Sequence, residues 1–474
     1  MSLKIYNTLT RTKEEFVPVE PGKVTIYLCG PTVYDYIHVG NARPFIMYDI
    51  FRRYLEYKGF QVKLVVNLTD IDDHIIEKSI KEKISARQVS EKYTSAFFED
   101  TRRLGIKPAS INPKATENVD GIIALITTLI EKGMAYSING DVFYRIGKFK
   151  DYGKLSGKNI DELQSGARVE VDKRKENPLD FALWKSAKEG EPFWESPWGN
   201  GRPGWHIECS VMSMKYLGET IDIHAGGSDL IFPHHENEIA QSEGATGKPF
   251  VRYWMHNGFL NIEGEKMSKS LGNFFTAREV LAKYDASAIR MFFLLKHYRS
   301  PINFSEERIL EAQQALKRIM TTLEAINRVL KGHAFDKEVT RSGQLDIVEE
   351  LRKDFLIEMD DDFNTAGAMS KIFELVKEAN LILVKTDLTD EELRSLWKIK
   401  IIIEEFDVFL GILTVKNTTQ SSNIEASLIE LLIETRKKTR EARLWDLADH
   451  IRNRLNDIGI ELMDRPDRTT WRKK

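Results

Sequence analysis

Residues 24–32 have the sequence VTIYLCGPT, an apolar run that ends at a glycine followed by a proline. The unbroken hydrophobic stretch from Val24 to Cys29 predicts a buried strand, and the Gly-Pro pair ends it. Apolar residues then recur at helical spacing, and Ala42-Arg43-Pro44 places a proline where the first turn of this helix is expected. A second apolar run covers Gln61 to Leu68. Together these segments predict a β-α-β unit, the building block of a parallel sheet.

The junction between this first strand and its helix carries His38-Val39-Gly40-Asn41. Ligands of open parallel sheets bind at the carboxyl ends of the strands, which is where such a junction lies. Gly40 lets the backbone approach a phosphate, His38 can donate a hydrogen bond to it, and the helix N-terminus favours negative charge. The alternative is that these are ordinary turn residues.

A second basic motif, Lys266-Met-Ser-Lys-Ser270, follows Glu263-Gly264-Glu265 in a loop rich in glycine and serine. Lys266 and Lys269 are spaced by three and could reach a triphosphate from the side opposite His38. A solvated surface loop is the alternative for this segment alone. The two motifs in this order are more specific for ATP than either one separately.

The chain has only two cysteines, Cys29 and Cys209. With His234 and Glu238, which are four residues apart on one face of a predicted helix, they form a donor set of thiolates, imidazole and carboxylate that suits zinc. His235 competes with His234, because it too can approach Glu238, and spacing does not decide between them. Burial of the cysteines as small hydrophobic residues is the alternative explanation.

Composition limits the protein class. The 474 residues predict two to four domains, and a hydrophobic content of 42% is enough for several cores. The sequence has no uncharged run of 18 residues or more and no apolar segment at its start, so we expect a soluble, cytoplasmic protein without a membrane span. Since the net charge is only −3, any nucleic-acid contact must rest on local basic patches.

The pattern divides the chain into six segments. The α/β pattern of residues 1–115 is interrupted by residues 116–200, which do not continue it, and then resumes at residue 201. From Glu306 onward the pattern is almost wholly helical. A polar stretch at Lys416–Asn423 is the best linker candidate. The segments are 1–115 and 201–255 (the two halves of the sheet domain), 116–200 (an insertion), 256–305 (which contains Lys266–Ser270), 306–415 (a helical bundle) and 416–474 (the linker and a basic C-terminal subdomain).

Three further features could each mark a site or serve only the fold or surface. Thr69-Asp-Ile-Asp-Asp73 could bind magnesium, but a helix N-cap with acidic residues in the first turn is favoured. The tryptophans at positions 184, 194 and 198 are expected to be packing anchors. The basic tail, which begins at Arg436-Lys437-Lys438, is either a solvated surface or a nucleic-acid contact.

Several blocks of this sequence resemble the class I aminoacyl-tRNA synthetases, and within them the cysteinyl-tRNA synthetase family. His38 to Asn41 is similar to the first class I signature, which usually ends in histidine, so Asn41 departs from the common form. Lys266 to Ser270 matches the second signature without change. The other blocks are Cys29–Asp35, Asn67–Ile75, Gly201–Cys209, Gly226–Glu238 and Lys266–Asn273.

The resemblance implies a split Rossmann-like nucleotide-binding catalytic domain with an insertion, followed by a mainly α-helical anticodon-binding C-terminal region. The substrates would be L-cysteine, Mg-ATP and tRNA-Cys, and segment 256–305 would contact the tRNA stem. We expect a monomer. The implied catalytic residues are His38, Asn41, Lys266 and Lys269, and the implied ATP site adds Gly40, Gly226, Asp229 and Ser268 to them.

The resemblance also implies one zinc ion per chain, held by Cys29, Cys209, His234 and Glu238. The zinc would recognise the thiol of the substrate, because a thiolate is a strong zinc ligand and the hydroxyl of serine is a poor one. Thr32, Trp205 and His224 resemble residues of the amino-acid pocket.

Two other functions compete with this one. Ligases that transfer the same adenylate to an amino-sugar resemble the catalytic core, but they lack an anticodon-binding region, whereas here Glu306 to Lys474 is present. An inactive tRNA- or zinc-binding paralogue is the non-enzymatic option, and the intact Lys269 and Cys209 argue against it.

Overall fold

The computed structural model describes residues 2–159, 174–262, 265–266, 275–335, 347–413, 418–464 and 469–473. The chain forms two compact units, Met1–Val415 and Lys416–Lys474. None of the helices in the described ranges is long and apolar enough to cross a membrane.

The strands and helices are numbered in chain order over the described residues. The strands are β1 Lys4–Asn7, β2 Thr12–Glu15, β3 Lys23–Leu28, β4 Gln61–Val66, β5 Ala135–Ile138, β6 Asp141–Tyr144, β7 Phe181–Ser186, β8 Gly201–Pro203, β9 Ile221–Gly227, β10 Val251–Asn257, β11 Leu260–Ile262, β12 Glu265–Lys266, β13 Ile302–Asn303, β14 Ile460–Asp464 and β15 Thr469–Lys473. The helices are α1 Val39–Tyr57, α2 Asp73–Glu82, α3 Ala86–Arg103, α4 Val119–Glu131, α5 Trp205–Leu217, α6 Glu236–Thr246, α7 Ala277–Lys283, α8 Ala286–Leu294, α9 Glu306–Val329, α10 Ile347–Asp360, α11 Thr365–Leu383, α12 Asp390–Leu410, α13 Thr418–Glu441 and α14 Trp445–Asp457.

A parallel four-stranded sheet in the order β10-β9-β3-β4 is the centre of the larger unit. Ile26 in β3 lies between Leu64 of β4 and Ile223 of β9, so strands far apart in sequence are neighbours in the sheet. Burial on both faces explains why these strands are nearly continuous apolar runs. This confirms the predicted split α/β domain.

The described part of residues 119–203, between the two halves of the sheet domain, forms a separate layer. It consists of α4 and an antiparallel sheet in the order β5-β6-β7-β8, with its own apolar core around Trp184, Leu183 and Ile126. Trp184 is fully buried and contacts Trp198 edge-on, with ring centroids 6.0 Å apart. The predicted insertion and the packing role of these tryptophans are therefore confirmed, and the antiparallel sheet extends to Pro203.

Helix α1 begins earlier than expected. Its N-cap is His38 and its first residue is Val39, so Pro44 lies inside the helix rather than in its first turn, and that expectation was wrong. A proline there has no N–H to donate to the carbonyl one turn back. Tertiary packing offsets this loss, since Ala42, Phe45 and Ile46 are all buried.

Helix α2 follows the acidic stretch that ends at Asp73. Asp72 is its N-cap and accepts a hydrogen bond from the His74 N–H over 2.9 Å, and Asp73 lies in the first turn. Asp70 accepts hydrogen bonds from the backbone N–H and the hydroxyl of Thr116. The favoured explanation, a helix cap, is confirmed for this segment.

The helical region beyond Glu306 contains α9 to α12, which pack around apolar residues such as Phe355, Ile372 and Phe406. Tyr54 of α1 donates a hydrogen bond to Asp360 over 2.7 Å, and Lys58 pairs with the same carboxylate at 2.9 Å. The bundle and the sheet therefore belong to one unit.

The smaller unit contains α13, α14 and a hairpin of β14 and β15, which enclose Ile429, Leu455, Ile460 and Leu462. The linker candidate was wrong from Thr418 onward, because these residues begin α13. Polar residues lower helix propensity by only a few tenths of a kcal/mol each, so a missing apolar period does not exclude a helix. Arg436, assigned to a solvated or nucleic-acid-binding surface, is buried and bonds Asp464 through two N–H groups at 2.9 Å.

Candidate active site and metal centre

The carboxyl ends of the central strands open into a cavity of about 510 Å³. Its wall includes the turn after β3, the first turn of α1, the start of α2, Trp205 at the start of α5, and the segments after β9 and β10. This is the position at which parallel sheets bind ligands. Of the residues predicted from the sequence, seven line it: Cys29, Thr32, His38, Gly40, Asn41, Trp205 and Asp229.

The four predicted metal ligands lie together beside this cavity. Cys29 follows β3, Cys209 lies in α5, His234 precedes α6, and Glu238 lies in its first turn. One donor atom from each of the four lies within 4.8 Å of the others, and all four side chains are buried. Two thiols, an imidazole and a carboxylate at this separation form a group that could hold a metal ion.

Glu238 is the centre of this group. Its Oε1 lies 3.1 Å from His234 Nε2 and 3.8 Å from Cys29 Sγ, while its Oε2 lies 2.8 Å from His224 Nε2. The predicted contact between residues 234 and 238 across one helical turn is therefore present. His224 is fully buried and contacts this carboxylate, and it is not among the cavity-lining residues.

The competition between His234 and His235 persists in the structure. His235 Nε2 lies 3.3 Å from Cys29 Sγ, and a second possible ligand set consists of Cys29, His224, His235 and Glu238. The two sets share Cys29 and Glu238. They differ in that the first contains two soft thiolates, which zinc prefers, and the second contains one.

Further histidines surround the ligands and were not predicted from the sequence. His206 Nδ1 lies 2.8 Å from His234 Nδ1, and His256 Nε2 lies 2.8 Å from His235 Nδ1. Such contacts to the second ring nitrogen orient an imidazole for metal binding. His206 lies three residues before Cys209, and only this proximity in sequence could have indicated that it lies beside the ligands.

The charges of the cluster follow from burial and contact. Burial raises the pKa of the Cys29 thiol well above its ordinary value, and the hydrogen bond from this thiol lowers the pKa of Cys209 to about 6. Burial alone would raise the pKa of Glu238, but the neighbouring imidazoles, His224 first, lower it to about 2. Burial alone would lower the pKa of His234, but the Glu238 carboxylate raises it to about 10.

These pKa shifts indicate which protons a bound cation would replace. Metal ligands must be deprotonated, so a divalent ion bound to the first set must displace the protons held by Cys29 and His234. The lowered pKa values of Glu238 and Cys209 favour the negatively charged forms that such an ion requires.

The first signature forms the N-terminus of α1. His38 Nδ1 accepts a hydrogen bond from the Asn41 N–H over 3.1 Å, which caps the helix. A Cβ on Gly40 would lie 2.9 Å from the same His38 Nδ1, so a glycine is needed for this ring position. Asn41 is exposed and lines the cavity.

The second signature is described only at its start. Lys266 lies in β12, which pairs with β11 through Asn261. Ser268 and Lys269 lie outside the described residues. Gly226 is buried at the end of β9, where a Cβ would lie 2.8 Å from Leu230.

Trp205 and Thr32 line the cavity. The Trp205 ring packs against His234 with the ring centroids 4.1 Å apart and the planes tilted by 31°, and 39% of Trp205 is exposed. Thr32 pairs with Thr69 in an isolated bridge between the segments that follow β3 and β4. A molecule in the cavity would therefore meet both residues.

Arg43, in the first signature helix α1, makes buried contacts near the cavity that were not predicted from the sequence. It is fully buried, and it donates hydrogen bonds to the carbonyls of Gly258 and Phe259 at 2.6 and 3.1 Å and to those of His297 and Ser300 at 3.2 and 2.7 Å. Burial lowers its pKa to about 10. The sequence feature that could have indicated its burial is the position of a charged residue on an otherwise apolar face of α1.

Comparison with known proteins agrees with this architecture. The family model for the class I (C) tRNA synthetase catalytic domain matches residues 15–314, and the model for the DALR domain matches residues 354–414. Solved structures show the same fold at low identity. The Mycobacterium tuberculosis methionyl-tRNA synthetase in complex with methionyl-adenylate has a TM-score of 0.60 at 14% identity, covering 82% of this chain and 90% of that one.

Curated relatives match along the whole length. The chain is 50% identical to the Cysteine--tRNA ligase of Carboxydothermus hydrogenoformans, over 99% of this chain and 100% of that protein. It is also 50% identical to the Cysteine--tRNA ligase of Clostridioides difficile (strain 630), again over 99% and 100%. The chain therefore belongs to the cysteine--tRNA ligase family of the class I tRNA synthetases.

Proposed function

We propose that this protein activates L-cysteine with Mg-ATP and transfers it to tRNA-Cys. The observation that carries the proposal is the buried group of two thiols, an imidazole and a carboxylate. One of its members, Cys29, lines the same cavity as Trp205 and the first signature. The 50% sequence identity to a cysteine--tRNA ligase over the full length of the chain supports the same reaction.

The reaction has two steps. The cysteine carboxylate oxygen attacks the α-phosphorus of ATP, which forms cysteinyl adenylate and releases pyrophosphate. A ribose hydroxyl of the terminal adenosine of the tRNA then attacks the carbonyl carbon, loses its proton and displaces AMP. The protein supplies no nucleophile, so catalysis rests on positioning and on stabilisation of the charge that develops on the phosphates.

The phosphate-binding roles belong to the two signatures. We assign His38, Gly40 and Asn41 to one side of the triphosphate and Lys266, Ser268 and Lys269 to the other, with Gly226 and Asp229 beside the nucleotide. Asn41 can donate a hydrogen bond but carries no charge. The cavity of about 510 Å³ is within the usual range for small-molecule sites.

We assign one zinc ion to Cys29, Cys209, His234 and Glu238. The donor set fits, since both thiols are present and all four donor atoms lie within 4.8 Å of each other. When bound, zinc would favour a thiolate over a hydroxyl and so distinguish cysteine from serine. Trp205 and Thr32 would border the amino acid, and His224 would act from behind by holding Glu238.

The remaining segments would bind the tRNA. We propose that segment 256–305 contacts the stem and that the helices after Glu306, with the C-terminal unit, bind the anticodon region. The six-segment division, a monomeric state and a cytoplasmic location are part of this proposal. Light scattering during size-exclusion chromatography checks the monomer.

The decisive experiment is a charging assay with ATP, magnesium, a tRNA-Cys transcript and labelled cysteine, with labelled serine in parallel. We expect cysteine and not serine to enter the acid-precipitable fraction. If cysteine-dependent pyrophosphate exchange occurs without charging, the adenylate passes to a different acceptor. If neither occurs, the proposed function is wrong.

Replacing a zinc ligand tests the metal assignment. Cys209→Ser substitutes a hydroxyl, a poor zinc ligand, and should release the metal and abolish the preference for cysteine. Atomic absorption measures the metal content, with wild type as the reference. A normal zinc content in this variant would contradict the ligand set, and retention in Cys209→Ser together with loss in a His235→Ala variant would favour the second set.

Replacing a signature lysine tests the phosphate role. Lys269→Ala should slow adenylate formation by ~10²-fold or more, the scale for losing one transition-state donor, and should leave the zinc content intact. Pre-steady-state measurement of activation checks this. An unchanged activation rate would remove Lys269 from the mechanism.

A further inference from the structure

One stacked aromatic pair in the cavity wall has no role in the reaction as described above. Tyr34 lies in the turn after β3, and His74 lies in the first turn of α2 after β4. Their ring centroids are 5.0 Å apart, with an angle of 30° between the ring planes. Both residues line the same cavity as the first signature. The His74 side chain is 62% exposed, so a further planar ring can stack on its imidazole.

The pair lies across the cavity from Gly226 and Asp229, the residues assigned beside the nucleotide, while the first signature, assigned to the triphosphate, follows β3 as Tyr34 does. The sheet order is β10-β9-β3-β4, so the segments after β9 and β10 form one side of the cavity and those after β3 and β4 form the other. Gly226 lies at the end of β9, Asp229 follows it, and the start of the second signature follows β10. Tyr34 and His74 follow β3 and β4, on the opposite side.

The pair is held in place by ion pairs around it. Asp73, next to His74, accepts hydrogen bonds from Lys185 at 2.6 Å and from Arg202, which lie in β7 and β8 of the insertion. Asp35, next to Tyr34, pairs with Lys78 of α2 at 3.4 Å. Trp194 of the insertion also packs against Ile71 and Ile76 on either side of the start of α2. The pair is therefore a fixed surface where the insertion meets the cavity.

The proposed reaction brings two adenosines into one cavity, and only one of them belongs to ATP. Proteins that bind single-stranded RNA ends stack the unpaired bases on aromatic side chains, histidine and tyrosine included. We infer that Tyr34 and His74 form a stacking platform for the adenine base of the terminal tRNA nucleotide, which positions its ribose for the transfer step. This inference rests on the proposed function and adds to it a site for the acceptor.

The first test uses a tRNA-Cys whose terminal adenine is replaced by 2-aminopurine, because stacking quenches the fluorescence of this base. Binding to the wild-type protein should quench the signal. Tyr34→Ala and His74→Ala should lose most of the quenching, and His74→Phe, which keeps a flat ring, should retain it. His333→Ala is the matched control, because His333 also forms an exposed stacked pair, with Phe335, away from the cavity.

The second test compares the two chemical steps. The rate of transfer from preformed adenylate to tRNA is measured in a single turnover, and the rate of adenylate formation is measured by pyrophosphate exchange. In His74→Ala the ratio of transfer to activation should fall about 10-fold or more, the scale for losing one base–aromatic stack. Thermal unfolding by circular dichroism checks that the variants are folded.

The outcomes distinguish this inference from the proposed function. Retained quenching together with an unchanged ratio in both alanine variants would overturn the platform. An equal fall in activation and transfer would also overturn it, since the pair would then serve ATP or the fold of the site. Absence of cysteine-dependent exchange in the wild-type protein would instead refute the proposed function.

Discussion

Gly30 lies where the chain leaves β3, and its backbone passes directly over that of Asn67. A Cβ at position 30 would lie 1.6 Å from the Asn67 carbonyl oxygen, and the Gly30 N–H donates to Asn67 Oδ1 over 2.8 Å. This close approach sets the position of Cys29 on one side and of Thr32 on the other. A glycine is therefore required by the space available.

We expect Gly30→Ala to destabilise the larger unit by about 1–3 kcal/mol, because the two segments must separate to admit a methyl group. The apparent melting temperature should fall by a few degrees, and cysteine activation should be lost with it. Gly147→Ala is the control, since a Cβ there meets no atom within 4 Å. Equal melting temperatures for the two variants would show that the backbone adapts at no cost.

Only those contacts of the metal group that follow from spacing along one helix could be predicted from the sequence. His234 and Glu238 are one helical turn apart, and their contact at 3.1 Å follows from that spacing. The choice between His234 and His235 could not be predicted, because adjacent residues ahead of α6 both reach Cys29 or Glu238. Arg43 was missed because its acceptors are backbone carbonyls more than 200 positions away, and no side-chain pattern marks a carbonyl.

At the scale of elements, the strands and helices around the site were predicted well because burial produces clear periods. The errors have two sources: tertiary contacts that outweigh local preference, and a helix that begins without an apolar period. Pro44 lies inside α1 because its buried neighbours hold the helix. The polar residues after Thr418 are helical although they show no apolar period. The hairpin of β14 and β15 was not predicted from a segment that composition marks only as basic.

Arg43 joins two of these elements, the signature helix α1 and the segment after β10 that leads to the second signature. A lysine has one ammonium group and cannot bond four carbonyls in a planar arrangement. We expect Arg43→Lys to slow adenylate formation roughly 10-fold or more, because the two signatures are no longer held at a fixed distance. Pyrophosphate exchange at saturating substrates measures this effect.

The control for Arg43→Lys is Arg53→Lys on the same helix. Arg53 pairs with Asp49 at 3.0 Å and is partly exposed, so a lysine can keep the ion pair. Both variants should remain folded by circular dichroism. If Arg53→Lys slows activation as much as Arg43→Lys does, a general effect on α1 and not the carbonyl contacts explains the loss.

On the scale of the whole molecule, the helical bundle is attached to the catalytic sheet through buried polar contacts as well as apolar packing. Arg290 in α8 is fully buried and pairs with Asp49 of α1 at 3.0 Å. Its Nε and one terminal nitrogen also donate to the carbonyl of Leu410, at the end of α12, at 3.1 and 2.9 Å. One side chain thus connects the signature helix to the last helix of the bundle. The change of pattern at Glu306 predicts where the bundle begins, but such long-range contacts are not visible in the sequence.

Removing this connection should loosen the bundle from the sheet. Arg290→Met leaves the Leu410 carbonyl without its two donors, while Asp49 keeps Arg53 and the Lys107 N–H at 2.9 Å. Breaking one side of a buried ion pair costs about 3–5 kcal/mol, and the remaining partners of Asp49 place the expected cost near the lower value. Hydrogen exchange followed by mass spectrometry should show faster exchange at the end of α12 and in the second half of α1.

Arg352→Met is the control for this variant. Arg352 pairs with Glu405 at 2.7 Å with 31% of its side chain exposed, and such pairs contribute about 0–1 kcal/mol. If exchange in the Arg290 variant rises no more than in the Arg352 variant, apolar packing alone holds the bundle in place and Arg290 serves only to cap α12.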